Sequence, residues 1–184
     1  SKVFAREFMQ RHGIPGPRFL LARSLPEAER AIRGGELGWP LVIKMDGLAA
    51  GKGVVVAEGA GEARANAARM LADGRGPGAR VVLEEFLPGE ELSFLALSDG
   101  SRVVPLVSAQ DHKRARDGDQ GPNTGGMGTV SPATHLTVDL HKQIMQEIVV
   151  PTVAGMAAEG RRYQGVIYAG LMLTATGPRV LEFN

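Results

Sequence analysis

The chain has 184 residues, enough for one well-packed domain or two small subdomains sharing a core. Hydrophobic residues make up 43% and charged residues 22%, which excludes a disordered or fibrous chain, and no apolar run approaches the ~20 residues of a membrane-spanning helix. Cysteine is absent and the net charge is +1, so disulfides, thiolate metal sites and cysteine nucleophiles are excluded, and no overall field draws nucleic acid or a membrane surface.

Ser1 to Arg11 reads as a helix with Phe4 and Phe8 on one face, stopped by Gly13 and Pro15. Phe19 to Ala22 reads as a short strand. Ser24-Leu-Pro-Glu27 has the form of a capping box and starts a helix to about Ile32. Trp39 to Lys44 and Val54 to Ala57 read as strands around a small-residue loop, Asp46 to Gly53. Glu62 to Ala72 is a predicted helix, and Arg80 to Leu87 a predicted strand. Glu91 to Leu97 and Arg102 to Ser108 are strands joined by a hairpin signal at Asp99-Gly100. Gln110 to Ser131 is polar, rich in glycine and without period, and is expected to be a long functional loop. Thr137 to Glu159 is helical with a break at Pro151, and Gly165 to Thr174 and Arg179 to Asn184 are strands turning through Gly177-Pro178. Helices mixed with adjacent strands that must pair antiparallel give an α+β fold. The chain opens without Met and stops inside a strand, so it is expected to be a piece of a longer protein.

Asp46-Gly-Leu-Ala-Ala-Gly-Lys-Gly53 looks at first like a phosphate loop. A Walker A loop needs four residues between its glycines, a Ser or Thr after its lysine, and a helix behind it. Here three residues separate Gly47 from Gly51, Gly53 replaces the hydroxyl residue, and strand follows. The remaining geometry is a strand-loop-strand flap, in which backbone N–H groups approach phosphate oxygens and Lys52 adds charge. Lys44, at the end of an apolar strand, could meet the same phosphates. Taken alone, the loop reads equally as an ordinary hairpin loop with two solvated lysines.

Leu83 to Glu91 follows a strand. A strand end leaving its sheet supplies the backbone donor and acceptor that a purine edge needs, and Glu84 or Glu91 could hold ribose hydroxyls; an acidic surface turn is the plainer reading. In the Gln110 to Ser131 stretch, Lys113 and Arg114 could neutralise a phosphate or carboxylate, and Asn123 and Thr124 could orient it. His112 has no zinc partner at ligand spacing among His12, His135 and His141. Glu182 and Asn184 flank Phe183, and period two puts both on one strand face, where hard oxygen donors suit magnesium.

Taken jointly and in this order, these segments resemble the ATP-grasp ligases, and within them the glycinamide ribonucleotide synthetase family. The residues carrying the resemblance are Ser1-Lys-Val-Phe-Ala5, Val42-Ile-Lys-Met-Asp-Gly-Leu-Ala-Ala-Gly-Lys-Gly-Val54 and Glu84-Glu-Phe-Leu-Pro-Gly-Glu-Glu91. They continue in Ser108-Ala-Gln-Asp-His-Lys-Arg114, Gly121-Pro-Asn-Thr-Gly-Gly-Met-Gly128, Ile148-Val-Val-Pro-Thr152, Tyr168-Ala-Gly-Leu-Met172 and Leu181-Glu-Phe-Asn184. The resemblance implies two α+β subdomains with the nucleotide between them. Residues 1–16 and 84–184 would form the core, and 17–83 a lid with the glycine-rich flap.

By the same resemblance Lys2, Lys44, Gly51, Lys52 and Gly53 serve the ATP phosphates. Glu84, Glu85, Phe86 and Leu87 line the adenine, with backbone groups from Glu84 and Leu87, and Glu91 holds the ribose. Glu182 and Asn184 bind Mg2+ or Mn2+. Asp111, Lys113, Asn123, Thr124, Gly125 and Gly126 line the space for glycine and phosphoribosylamine, and Lys44, Asp111, Lys113 and Asn123 act in the chemistry. The implied reaction forms glycyl phosphate from ATP and glycine, then the amide, in cytoplasmic purine biosynthesis. The family continues past Asn184 with an Arg-Phe-Gly-Asp-Pro-Glu-type segment and has further N- and C-terminal domains, so this chain alone is expected to have little or no ligase activity. A non-catalytic ATP or ADP module and another carboxylate–amine ligase are the alternatives. No basic patch with interleaved aromatics supports nucleic-acid binding.

Overall fold

The computed structural model describes residues 1–47, 53–74, 78–118 and 120–184, and the backbone alone at 114, 120, 122, 123 and 125. The chain divides into two compact units, Ser1–Phe8 with Pro17–Leu87, and Met9–Gly16 with Pro88–Asn184.

The first unit holds the N-terminal part of helix α1 (Lys2–Arg11), then β1 (Phe19–Ala22), α2 (Leu25–Gly34), β2 (Leu41–Met45), β3 (Val54–Ala57), α3 (Ala60–Asp73) and β4 (Val81–Glu85). The strands form one antiparallel sheet in the order β1-β4-β2-β3. Alternation sorts its faces. Leu41 and Ile43 of β2 and Val81 and Leu83 of β4 pack with Ala28 and Ile32 of α2 and Ala63, Ala67 and Met70 of α3. Lys44 and Glu84 therefore point to the opposite face. The register pairs Val42 with Glu84 and Lys44 with Val82, which makes Lys44 and Glu84 diagonal neighbours there.

The capping box before α2 forms with one change. Ser24 Oγ accepts the Glu27 N–H at 3.4 Å, but the Glu27 carboxylate reaches back to the N–H of Arg23 at 2.8 Å.

The second unit contains β5 (Glu90–Ser98), β6 (Val103–Pro105), β7 (Gln110–Arg116), β8 (Gln120–Val130), α4 (Val138–Ile144), α5 (Val150–Ala158), β9 (Gly165–Thr174) and β10 (Gly177–Phe183). An antiparallel sheet runs β10-β9-β5-β6. Leu92, Phe94 and Ala96 of β5 and Ile167, Ala169 and Leu171 of β9 are buried, as are Ile144, Ile148 and Val153 of the helical arm. The Phe94 and His141 rings meet at 5.3 Å, which puts the arm on that face. Glu91, Ser93, Tyr168, Gly170 and Glu182 fall on the other.

Several elements differ from expectation. Gln110 to Ser131 is not a loop: β7 and β8 pair antiparallel along most of it, with two register irregularities. The pairing uses backbone groups, which polar and glycine residues supply as well as apolar ones, so no hydrophobic period announces it. The strand expected at Arg102 to Ser108 is shortened to three residues, Val103–Pro105, with one further tie where the Leu106 N–H donates to the Leu95 carbonyl at 2.8 Å. The last turn lies at Ala175-Thr176 rather than Gly177-Pro178; Gly177 already pairs with Thr174. The helix break comes just before Pro151, as a π-helical turn over Met145–Val149. The proline ring crowds the carbonyl four residues back, and the wider turn relieves it.

Two tight places are testable. At the junction into β5, Gly89 has φ +154°, and a Cβ there would lie 2.2 Å from the carbonyl oxygen of Leu173. Gly89→Ala is expected to lower unfolding free energy by about 3 kcal/mol or more in denaturant titration, summing backbone strain and overlap. In the β5–β6 turn, Asp99 accepts the N–H groups of Arg102 and Ser101 and the Ser101 hydroxyl. Those bonds, Arg102 first, hold its carboxyl down to about 2. An NMR titration of the Asp99 carboxyl carbon should find its midpoint there, and Ser101→Ala should raise it.

Candidate functional site

In the first unit the site grows from the diagonal pair on the sheet face opposite α2 and α3. Glu84 is 2% exposed, Arg6 4% and Lys44 8%. Arg6 donates from Nε to Glu84 Oε1 at 2.6 Å and from its second guanidinium arm to Oε2 at 2.9 Å. Lys44 Nζ lies 2.8 Å from Oε2. Burial alone pushes the Glu84 carboxyl up, but Lys44 and Arg6 together outweigh it and hold the group below its ordinary value.

A second anion ties down the N-terminus of α1. Asp46 Oδ1 accepts the Ser1 hydroxyl at 2.9 Å, the Val3 N–H at 3.2 Å and the Gly47 N–H at 3.0 Å. Arg80 donates to Oδ2 at 3.2 and 2.7 Å. Burial raises the Asp46 carboxyl, and Ser1, Val3 and Arg80 outweigh that and lower it. Lys2 Nζ donates to the Gly47 carbonyl at 2.8 Å, and the Met45 N–H to the Gly53 carbonyl at 2.8 Å. Both ends of the Gly47 to Gly53 loop are thus anchored. Gly51 and Lys52 lie outside the described residues.

The Glu85 carboxylate is taken up by Arg18, whose N–H and Nε donate at 2.8 and 2.6 Å. The sheet ends there. Among the described residues nothing hydrogen-bonds the main chain of Phe86 or Leu87.

In the second unit, Ser93, Gly170 and Glu182 stand opposite one another across β5, β9 and β10. Asn184 exchanges both main-chain bonds with Tyr168 at 3.0 Å, so Glu182 and Asn184 do share one face. Both are exposed. A Cβ at Gly170 would lie 3.2 Å from Glu182 Cγ and 3.4 Å from the Tyr168 ring, so glycine makes room for both side chains. Ser93 Oγ and Tyr168 Oη are 3.1 Å apart. Lys113, from β7, donates to Glu91 Oε2 at 3.0 Å. Burial lowers the Lys113 ammonium, but Glu91 outweighs it, aided by Tyr168 and Glu182, and the group titrates above its ordinary value.

The β7–β8 hairpin brings together part of the predicted substrate set. Thr129 donates to Asp111 Oδ1 at 2.8 Å, Thr124 Oγ1 to the Lys113 carbonyl at 2.9 Å, and the Gly126 N–H to Thr124 Oγ1 at 3.0 Å. Asn123 has its backbone opposite Arg114, and Gly125 also lies in β8; the side chain of Asn123 is outside the described residues.

Sequence reasoning missed Arg6, Arg80, Ser93 and Tyr168 as members of these clusters. For Ser93 and Tyr168 the signal was present: each is a polar residue at the outward phase of an alternating strand. For Arg6 the only signal was a charge three residues from buried Val3 on one helix face.

A family model described as phosphoribosylglycinamide synthetase, ATP-grasp (A) domain, matches residues 1–184. The phosphoribosylamine–glycine ligase of Allochromatium vinosum is 54% identical over 187 residues, covering 100% of this chain and 43% of that protein. The phosphoribosylamine–glycine ligase of Vibrio cholerae is 50% identical with the same coverage. The crystal structure of the Thermotoga maritima phosphoribosylamine–glycine ligase superposes with a TM-score of 0.89 at 39% identity, over 100% of this chain and 46% of that one. A D-alanine–D-alanine ligase from Bacillus anthracis, solved with ATP, matches at a TM-score of 0.69 and 18% identity, a likeness of fold alone. The chain thus spans less than half the length of the three phosphoribosylamine–glycine ligases, and 54% of the D-alanine–D-alanine ligase.

The Glu84 cluster makes a stability prediction with a sign. A carboxyl held down in the folded state stabilises it fully above the unfolded value, and that contribution fades as pH falls through the folded value. Glu84→Gln strands two buried cations. It is expected to cost about 3–5 kcal/mol at neutral pH in denaturant unfolding. The loss relative to the unchanged protein should shrink on acidification below the ordinary carboxylate range.

Proposed function

Because the chain belongs to the phosphoribosylglycinamide synthetase ATP-grasp (A) domain family, we propose that it is the nucleotide-handling part of an ATP-dependent ligase joining glycine to 5-phosphoribosylamine. The observation that carries this reading is the end of β4. A buried, anchored ammonium, Lys44, shares the carboxylate of Glu84 with Arg6, and just beyond the strand end Phe86 and Leu87 offer main-chain groups that no described residue uses. Lys44 and Lys2 supply charge for phosphates. The main chain from Glu84 to Leu87 supplies a donor and an acceptor for adenine, and Glu91 accepts ribose hydroxyls. Gly51, Lys52 and Gly53 close the phosphate side. In this reading residues 17–83 are the lid, and 1–16 with 84–184 the core.

The chemistry needs no protein nucleophile. A glycine carboxylate oxygen attacks the γ-phosphorus and the bond to the β-phosphate oxygen breaks, giving glycyl phosphate and ADP. The amine of phosphoribosylamine then attacks the carbonyl carbon, inorganic phosphate leaves, and the nitrogen gives up a proton as the amide forms. Asp111, Lys113, Asn123 and the Thr124 to Gly126 stretch of β8 orient the two substrates. Lys113 and Lys44 hold positive charge against phosphoryl oxygens, so catalysis rests on positioning and charge.

The metal donors can be tested against the site. Glu182 and Asn184 give one carboxylate and one amide oxygen, and among the described residues no group of three or more His, Asp or Glu side chains could hold an ion. Such a pair fits a magnesium or manganese ion whose remaining ligands are phosphate oxygens and water. When bound, the ion neutralises charge on those oxygens. Among the described residues no helix is long and apolar enough to cross a membrane; a cytoplasmic setting is part of the proposal.

The chain spans 43% of the length of its Allochromatium relative, which favours nucleotide binding without turnover when it stands alone. Calorimetry should find that it binds ATP with magnesium, and that Lys44→Ala weakens binding at least about tenfold, the size of one charge-assisted hydrogen bond. Equal affinity in the variant removes Lys44 from the phosphate site. ADP release with glycine and phosphoribosylamine should stay at background; parent-like turnover would overturn the binding-only reading of the isolated chain.

A further inference from the structure

The first unit contains a group that none of the roles above uses. Arg6 lies on α1, is almost fully buried, and spends its guanidinium fork on the carboxylate of Glu84. Both Glu84 oxygens are engaged by it, and Lys44 Nζ adds a third bond at Oε2. A lone buried carboxylate beside Lys44 would draw the ammonium into a one-to-one pair. It would thereby cancel the charge that a phosphate needs. With the fork in place the carboxylate is neutralised from one side and stays oriented, and Lys44 is directed by it without being the sole counter-charge.

We infer that Arg6 is a positioning residue for the proposed nucleotide site: by neutralising and orienting Glu84 it sets both the direction and the effective charge of the Lys44 ammonium. The inference rests on the reading of Lys44 as a phosphate ligand, but the link between Arg6 and Lys44 can be measured apart from it. Three elements meet in this link. The β2–β4 register puts Lys44 and Glu84 on one sheet face, α1 brings Arg6 to it, and Asp46 fixes the N-terminus of α1 through Ser1 and Val3.

The test uses the chain as it stands, with 15N-labelled lysine, and reads two quantities. One is the calorimetric affinity for ATP with magnesium. The other is the Lys44 side-chain ammonium resonance, assigned by its loss in Lys44→Ala. Arg6→Met should shift the resonance and weaken ATP binding about tenfold or more. Adding Glu84→Gln to Arg6→Met removes the carboxylate that captures Lys44, and affinity should recover most of the loss. A residue that merely stabilised the fold would lower the melting temperature without producing that recovery. Should Arg6→Met fail to fold, Arg6→Lys decides. It keeps the charge and loses the fork, and should move the resonance and weaken binding about threefold, part of the same bond energy.

An unmoved resonance in the folded variants overturns the inference. So does a drop in affinity that the double variant does not recover. If the unchanged chain binds no nucleotide, the proposed function of the site fails; the resonance alone then decides whether Arg6 controls Lys44.

Discussion

The carboxylate of Glu84 is the constraint on which the first unit's polar chemistry depends. Taking such a group out of water costs several kcal/mol, and only close, well-aligned cations offset it. The fold meets that demand with residues from three distant places in the chain: Arg6 from α1, Lys44 from β2 and Glu84 from β4. Strand alternation and register account for two of them. The helix is then held by its guanidinium, because sliding it along the sheet would leave a buried charge unanswered. The anchoring of Ser1 and Val3 on Asp46 works in the same sense, one end of the helix at a time. A sheet face that could have been apolar carries instead a rigid, charged cluster.

The second unit uses a different solution. Its ion pair, Lys113 with Glu91, is half-exposed, with side chains 30% and 39% accessible. Pairs of this kind contribute little to stability and exchange partners at low cost. What is rigid there is the backbone: the antiparallel ladder that sets Ser93, Gly170 and Glu182 side by side, and the hairpin that carries Asp111 and Lys113. On the proposed reading, groups that pass from one another to a ligand are better held this way than in a buried network. Gly170 belongs to the same logic, since a Cβ there would sit 3.2 Å from Glu182 Cγ and 3.4 Å from the Tyr168 ring and crowd both.

Most of the first unit was legible because its signals are local. Short apolar runs marked β2, β3 and β4, and the capping box at Ser24 marked the start of α2. The strand expected over Arg80 to Leu87 is there but ends at Glu85, two residues early, which leaves Phe86 and Leu87 outside it. The β7–β8 hairpin was illegible for a physical reason. Sequence periodicity reports which face is buried, and a two-stranded ribbon of Gln, Asp, Lys, Asn and Gly buries neither face in an apolar core. Its pairing lives in backbone bonds and in ties such as Thr129 to Asp111. The partnership of Arg6 with Glu84 was illegible for another reason. It joins residues 78 positions apart, and nothing in either neighbourhood encodes the other.

The scarcity of lysine takes on meaning in this light. Of the five lysines, Lys2 donates to the Gly47 carbonyl, Lys44 to Glu84 and Lys113 to Glu91, while Lys142 forms a loose surface pair with Asp139. Arginine does the structural work nearby, at positions 6, 18 and 80. The division follows from the geometry of the two cations. A guanidinium fork matches a carboxylate and saturates it; an ammonium is a point charge with three donors and can serve a carboxylate and a phosphate together. In the Glu84 cluster both are present, and exchanging them would not be conservative. Lysine at position 6 would leave one carboxylate oxygen to Lys44 alone. Arginine at position 44 would compete with Arg6 for the same fork-shaped acceptor.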